Sequence, residues 1–414
     1  MDLHPARNVA VITPWYPTSE LPFAGAFVQA AVEATAPHCS ELTVYHCDSW
    51  GSLPDEQEYA AAREAHRRLL PSVARPVPGV AGSRLVHVPV LPPQKSSWPE
   101  FVRAYSDWLG LALGGRPIDA DVVHGHVGLR GGWLALQHAR PGARVFVTEH
   151  ATFLPAVLAD PEGRELYDEV LHRCTGFFAV GEPVRRPLVE AFPHHAEKIG
   201  TIPNPIAFDA PRAVPVTALR RWLYVGSFIE RKGVMWLLEA FAACHREDPE
   251  LRLTMVGGGK LTNRLRTRAA ELGVAHAVSI RWAVPPDEAL RLMREHDLLV
   301  HPSRLETFGM TIVEAVAAGT PVLVTRSGGP QESLAGIEDQ VGVLIDVEEN
   351  AESIVEGYHR LRDRFPHGLD LPRARLHLEE RYGYETVGRV HHEHWFGSPP
   401  LPAQAAVRTP ERQV

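Results

Sequence analysis

Cysteine is scarce. The 414 residues hold four, Cys39, Cys47, Cys174 and Cys244, with neither CxxC nor zinc spacing. That pattern excludes a disulfide framework and a zinc ribbon, and reduced thiols in a cytoplasm are the simplest reading. Long apolar runs are missing: nothing approaches the ~18 residues of a membrane-spanning helix. The opening MDLHPARNVAVITPWYP has too short an apolar run for a signal peptide and shows no cleavage site, so no secretory leader is expected. A basic excess is missing too. The formal charge is −8, which argues against a nucleic-acid partner, because no surplus of cations exists to neutralise phosphates. Gly257-Gly258-Gly259-Lys260 does not complete a GxGxxG, and no acidic residue follows at the expected place. A dinucleotide fingerprint is therefore absent.

What is present is a chain too long for one ordinary core, with 45% hydrophobic and 22% charged residues, as in a soluble two-domain protein. Heavy use of Ala, Arg and Pro points to a GC-rich bacterial genome. The most informative stretch is Asp297 to Glu332, DLLVHPSRLETFGMTIVEAVAAGTPVLVTRSGGPQE. Leu298 to His301 reads as a buried strand, Arg304 to Gly309 as a loop, and Met310 to Ala318 as a helix stopped by Gly319 and Pro321. Val322 to Val324 is a second strand, and Gly328-Gly329 opens another helix. This alternation gives a parallel sheet with ligands outside the carboxyl ends of its strands. Gly309 precedes a helix start, so free N–H groups near Met310 and Thr311 form an anion site. Glu306 and Glu314 flank it. Carboxylates beside a phosphate would repel it, so they are read as acceptors for hydroxyls. A nucleotide-sugar supplies both the diphosphate and the hydroxyls.

The two Glu, with seven residues between them, and the flanking PS, ETFG, EAxAxGxPV and GGxxE resemble the E-x7-E signature of retaining family 4 glycosyltransferases of the GT-B fold. The resemblance covers nearly the whole chain, strongly over 222–332 and only by pattern before 120. It implies an α/β protein with two Rossmann-like domains facing across a cleft and a C-terminal helix crossing back to the first. The implied organisation is an acceptor-binding domain 1–205, a linker 206–216, a nucleotide-sugar-binding domain 217–380, a cross-over helix 381–397 and a disordered tail 398–414.

Other segments fit the same comparison. GSFIERKG resembles G-R-x5-K-G, which places Lys232 on the donor diphosphate. Ser227 holds the usual arginine position and cannot supply its charge, so Arg231 is the candidate substitute. In the family, a glycine turn such as Gly257 lets the nucleoside approach the backbone. Trp282 lies within VSIRWAV (Val278 to Val284), which matches the strand whose end holds the base, and either stacks or packs there. Gly25 matches a first-loop glycine close to the donor phosphates, where a side chain would block backbone approach. His150, in TEH after a strand, resembles the TxH histidine against the donor sugar. His126 is placed with it on the acceptor side, and His124 and His126 are expected to line the cleft. Phe308, Gly309, Met310 and Thr311 complete the donor set.

The expected reaction is transfer of a sugar from an NDP-sugar, with UDP the default nucleotide, to a hydroxyl of a glycan, lipid-carrier or small-molecule acceptor, with retention of configuration. Lys232, Glu306 and His150 are the catalytic candidates. No cofactor and no metal are expected. Asp119-Ala120-Asp121 has the DxD form of a metal site but precedes a strand, where acidic turn residues are common. A pseudo-glycosyltransferase, or an epimerase or hydrolase of nucleotide-sugars, is the alternative. Residues 51–100 read as irregular apart from a helix over 58–70. Its basic face (Arg63, Arg67, Arg68) backs onto alanine, which favours an ordinary surface helix over peripheral membrane contact.

Overall fold

The apolar runs of each half become parallel strands covered on both faces, the setting in which near-continuous Val, Ile and Leu belong. The computed structural model describes residues 7–50, 56–93 and 96–397, so the expected disordered tail 398–414 lies outside the described residues. The first sheet holds β1 (Asn8–Thr13), β2 (Glu41–Ser49), β3 (Val77–Pro78), β4 (Arg84–Val90), β5 (Val122–His126), β6 (Arg144–Glu149), β7 (Gly176–Ala179) and β8 (Ile199–Thr201). Its order is β3-β4-β2-β1-β5-β6-β7-β8. Short β3 runs antiparallel to β4; the other pairs are parallel. The second sheet holds β9 (Arg221–Val225), β10 (Arg252–Val256), β11 (Val278–Arg281), β12 (Leu298–His301), β13 (Val322–Thr325) and β14 (Gly342–Ile345). It is wholly parallel, in the order β11-β10-β9-β12-β13-β14.

In each sheet the chain reverses its direction of travel at one point, between β1 and β5 and again between β9 and β12. A crevice opens outside the carboxyl ends of strands at such a reversal. The loops after these four strands therefore face the gap between the domains. One buried cluster runs from the first domain into the second, and each domain adds a cluster of its own. In the second, Trp222 is fully buried with Phe241 and Tyr358 edge-on to its ring at 5.6 and 4.7 Å, and such pairs contribute roughly 0.5–1.5 kcal/mol beyond their area.

Residues 51–100 are more regular than their sequence suggests. The helix Glu56–Val73 runs past the expected bounds. β4 pairs with β2 from Thr43↔Arg84 to Ser49↔Val90. Pro89 hides this strand from a sequence reading. It is tolerated because β3 covers only Arg84 and Leu85 on the other side, leaving the edge at Pro89 without a partner strand among the described residues. The helix Trp98–Ala112, absent from the sequence reading, starts with a capping box in which Ser97 and Glu100 satisfy each other's backbone N–H groups, with Pro99 in its first turn.

The helix Tyr384–Phe396 crosses back onto the first domain. Trp395 Nε1 donates to His124 Nδ1 at 3.0 Å, and the Tyr384 hydroxyl donates to Glu33 at 2.8 Å. The chain passes between domains at two adjacent points, Ile206 and Gly383, joined by an isolated parallel bridge. A further link between the domains is the Glu182 N–H, which donates to the Glu332 carboxylate at 2.7 Å.

Candidate active site

The turns Gly226-Ser227 after β9 and Gly257-Gly258 after β10, the start of the helix Met310–Ala317, and Leu21, Phe23, Ala26 and Phe27 of the first domain enclose a cavity of about 460 Å³. Gly257 is there by necessity. Its φ is +155°, and a Cβ would lie 1.9 Å from the Gly226 carbonyl oxygen. Gly309 (φ 85°) heads the helix without a side-chain cap, so its first N–H groups are not claimed by one, and Met310 and Thr311 line the cavity. Trp282, 65% exposed, forms part of the same wall. Glu314 also lines the cavity. The residue is only partly buried, yet desolvation of its carboxyl pushes its pKa up to about 7. A roomier cavity of about 570 Å³ lies at the back, between the linker and the segment Phe365 to Leu376. It is mostly apolar and lacks the convergent polar groups of a reaction site.

Beside the cavity, Lys232 and Glu306 form a nearly buried ion pair. Burial alone would raise the Glu306 pKa. The Lys232 ammonium outweighs it, with His301 and the Ser303 hydroxyl adding to the effect, and holds the carboxyl down to about 2. His301 Nδ1 stands 3.7 Å from Glu306. Burial, then the Lys232 charge, keep this imidazole neutral with a pKa of about 4. His301 stacks on Tyr224 at 5.3 Å, and the Tyr224 hydroxyl donates to the Ser227 carbonyl at 2.9 Å. The pair is thus tied to the cavity wall through two rings.

Across the gap the wall is built of uncharged imidazoles. His126 Nδ1 and His150 Nε2 are 2.8 Å apart, and their rings stack at 5.1 Å. Desolvation, then the neighbouring His126, hold the His150 pKa well below that of a free imidazole, and desolvation takes His126 down to about 3. Phe27 lies 4.5 Å from the His150 ring and also lines the cavity, so it joins the two walls. His150 Nδ1 is buried with no hydrogen-bond partner among the described residues. Glu149 fixes the loop. Its carboxylate accepts from the N–H groups of His150, Ala151 and Gly128, each at 2.8 Å, and from the Tyr167 hydroxyl at 2.5 Å. Val127, between β5 and this loop, holds a φ of +71°, which a β-branched residue rarely adopts. Such strain concentrates at ligand-handling sites.

The structure brings most of the sequence candidates together and moves a few. Ser227, Gly257, Trp282, Met310, Thr311 and Glu314 share the cavity wall. Lys232 and Glu306 meet beside it rather than lining it. Gly25 caps the helix Ala26–Thr35 with φ 67°, and a Cβ there would strike the Trp15 backbone at 2.4 Å. Its side of the chain is therefore spoken for by Trp15, one residue short of the cavity-lining Ala26. Phe308 was expected among the donor contacts. Its buried ring instead packs edge-on to Tyr382 at 5.1 Å, because the preceding turn aims it into the domain core. Arg231 donates to the Leu305 carbonyl and so braces two loops. His124 does not line the cleft. It is fully buried, held by Thr148 and Trp395, because the cross-over helix covers that face. Asp119 and Asp121 both pair with Arg140, and Asp121 also accepts from the Asn8 N–H.

Four residues escaped the sequence reading: Phe27, Glu149, His301 and Arg130. Arg130 lies over the rings of Trp15 at 4.8 Å and Phe153 at 5.5 Å, and Trp15 stands edge-on to the cavity-lining Phe27 at 6.1 Å. Glu149 carries the one usable signal, an acidic residue at a strand end just before a loop whose N–H groups need acceptors.

Comparison with known proteins agrees with this geometry. Residues 25–209 match the family described as Glycosyltransferase Family 4, and residues 216–363 match Glycosyl transferases group 1. A D-inositol 3-phosphate glycosyltransferase of Acidothermus cellulolyticus is 28% identical over 355 residues, 76% of this chain and 79% of that one. Among solved structures, the sucrose-phosphate synthase of Thermosynechococcus elongatus superposes with TM-score 0.70 at 18% identity, over 95% of this chain and 100% of that one. Anabaena HepE in complex with UDP-glucose superposes with TM-score 0.62 at 16% identity, over 93% and 98% of the two chains.

Proposed function

The chain is a GT-B glycosyltransferase of the group 1 type, and on that premise we propose that it moves a sugar from a nucleoside-diphosphate sugar to an acceptor hydroxyl with retention of configuration and without a metal. The observation that carries this reading is the shared cavity wall of Gly257, Trp282, Met310, Thr311 and Glu314, with Phe27 joining it to His150. Trp282 stacks on the base, Gly257 lets the nucleoside approach the backbone, and Glu314 accepts from the ribose hydroxyls. The N–H groups of Met310 and Thr311 face the diphosphate.

Negative charge grows on the diphosphate as it leaves, and a fixed cation nearby lowers that barrier most. Lys232 is the cation, released in part from Glu306 as the diphosphate arrives. Glu306, ionised at any working pH, then orients the sugar hydroxyls. The departing phosphate oxygen takes the acceptor's proton. That assignment suits the opposite wall, where buried neutral His150 is a poor proton acceptor and steadies the reacting face. Closure of the domains excludes water that would hydrolyse the donor.

UDP is the first candidate nucleotide, being the one held by the fold neighbour HepE. The acceptor is a polyol or glycan hydroxyl. The curated relative acts on inositol 3-phosphate, and Arg130 between Trp15 and Phe153 offers a cation for an anionic substituent of that kind. Thermal stabilisation by UDP, GDP, ADP and TDP, followed by transfer assays with the best binder, tests the reading. Stabilisation by one nucleotide at micromolar concentration and sugar transfer are expected. Donor turnover without acceptor would favour a hydrolase or epimerase. Tight nucleotide binding with no transfer to any acceptor would favour a pseudo-enzyme.

A further inference from the structure

Away from the cleft, the described residues hold a cluster of three metal-ligating side chains, Asp168, His194 and His195, whose ligand atoms all lie within 4.8 Å of one another. Asp168 belongs to the helix Pro161–Arg173, and the two histidines sit in the turn Pro193–Lys198 that leads directly into β8. His194 Nε2 is 2.8 Å and His195 Nε2 is 3.3 Å from the same oxygen, Asp168 Oδ1. A tetrahedral zinc ion, with bonds near ~2.1 Å, holds its ligand atoms about 3.4 Å apart. Two of the three spacings are therefore within about 0.6 Å of the required one, and the third is at most 4.8 Å.

A second observation points the same way. His195 Nε2 is buried and makes no hydrogen bond among the described residues, its approach to Asp168 being off the hydrogen-bond direction. A buried ring nitrogen left without a partner costs free energy, and a cation within the triangle satisfies it. The frame is stiff. Lys198 Nζ donates to the carbonyls of Leu171, His172 and Cys174 at 2.7, 2.9 and 3.1 Å, locking the helix end to the same turn. The His172 ring lies 6.2 Å from that of His195, at the edge of the cluster.

We propose that Asp168, His194 and His195 bind one divalent transition-metal ion of the zinc class, with water in the fourth position. Two imidazoles and a carboxylate suit zinc, whereas magnesium favours an all-oxygen octahedron. Both rings bind as neutral ligands through Nε2, with their remaining protons on Nδ1. The ion staples the helix Pro161–Arg173 to the strand entry behind it, so its effect is on the stability of the first domain and not on the reaction.

The test is thermal denaturation and titration calorimetry of the EDTA-stripped full chain with zinc chloride and, separately, magnesium chloride. One equivalent of zinc is expected to bind and to raise the melting temperature, with magnesium doing neither. Asp168→Asn and His194→Gln change side chains that are 47% and 59% exposed, so both variants fold. Each should weaken zinc binding by at least about tenfold and remove the thermal gain, with the metal-free melting temperature unchanged. A wild-type protein that zinc does not stabilise, or a gain that both variants keep, overturns the proposal.

Discussion

The two walls of the cleft solve opposite electrostatic problems. The second-domain wall buries an ion pair, Lys232 with Glu306, in which the ammonium holds the carboxyl ionised against desolvation. The first-domain wall buries the imidazoles of His150 and His126, with His124 behind them under the cross-over helix, and keeps all three neutral. Charge is therefore concentrated where a diphosphate would sit, while the opposite face presents dipoles and ring edges. A cation on both walls would bind the ground-state donor tightly at both ends. Placing it on one side favours the state in which charge has moved towards that side.

The sharpest way to break this contrast is to remove the charge. Lys232→Ala and Glu306→Ala are each expected to cut turnover by about a hundredfold or more, read in a transfer assay at saturating donor. Each single variant also leaves a buried charge without its partner and melts lower than wild type. The double variant should regain part of that stability and none of the activity; full activity in either single variant would remove the pair from the mechanism. On the neutral wall, His150→Gln is expected to lower turnover by roughly ten- to a hundredfold, the cost of misplacing a reacting group. Donor affinity measured by calorimetry should hold, since the change lies opposite the diphosphate. A variant that loses affinity instead would place His150 with the donor contacts.

Trp282→Ala sharpens the nucleotide end. Losing one stacked base costs roughly 1–3 kcal/mol, read as a higher Kd for the nucleotide with turnover at saturation unchanged. Glu314 gives a smaller effect that depends on pH. Its empty-state pKa of about 7 is raised above that of an ordinary carboxyl. Hydroxyls that bond the ionised form lower it, so donor affinity is full above pH 7 and falls on acidification towards pH 6. Glu314→Gln should flatten that profile. The smallest expected effect is none: EDTA leaves turnover unchanged, while loss of activity restored by Mn²⁺ would return Asp119 and Asp121 to the site.

How much of this was legible differs between the same two regions. The second domain announces itself because part of its site is local and periodic, although Lys232 reaches Glu306 across 74 residues of chain. Glu306, Gly309 and Glu314 lie on one loop and the helix after it, and their spacing survives as a readable pattern. The parallel character of the sheet followed from alternation of apolar runs with helix signals. The first domain hides its site because its contacts are distant in sequence: His126 meets His150, Glu149 meets Tyr167, and His124 meets Trp395 from the far end of the chain. No local period encodes such pairs. Phe308 misled for a related reason. Its position in the motif is fixed by sequence, but the direction of its ring is fixed by Tyr382, a neighbour from a helix more than seventy residues on.

The double crossing at Ile206 and Gly383, with Trp395 pinned to His124, makes the architecture a closed loop of chain and not two beads on a string. Anyone grafting a different nucleotide-recognition module onto this acceptor half must cut twice, near 206–216 and again just before Tyr384, and leave Tyr384–Phe396 with its original host. A chimera spliced at the linker alone would import a foreign C-terminus into the imidazole row and strip His124 of its indole.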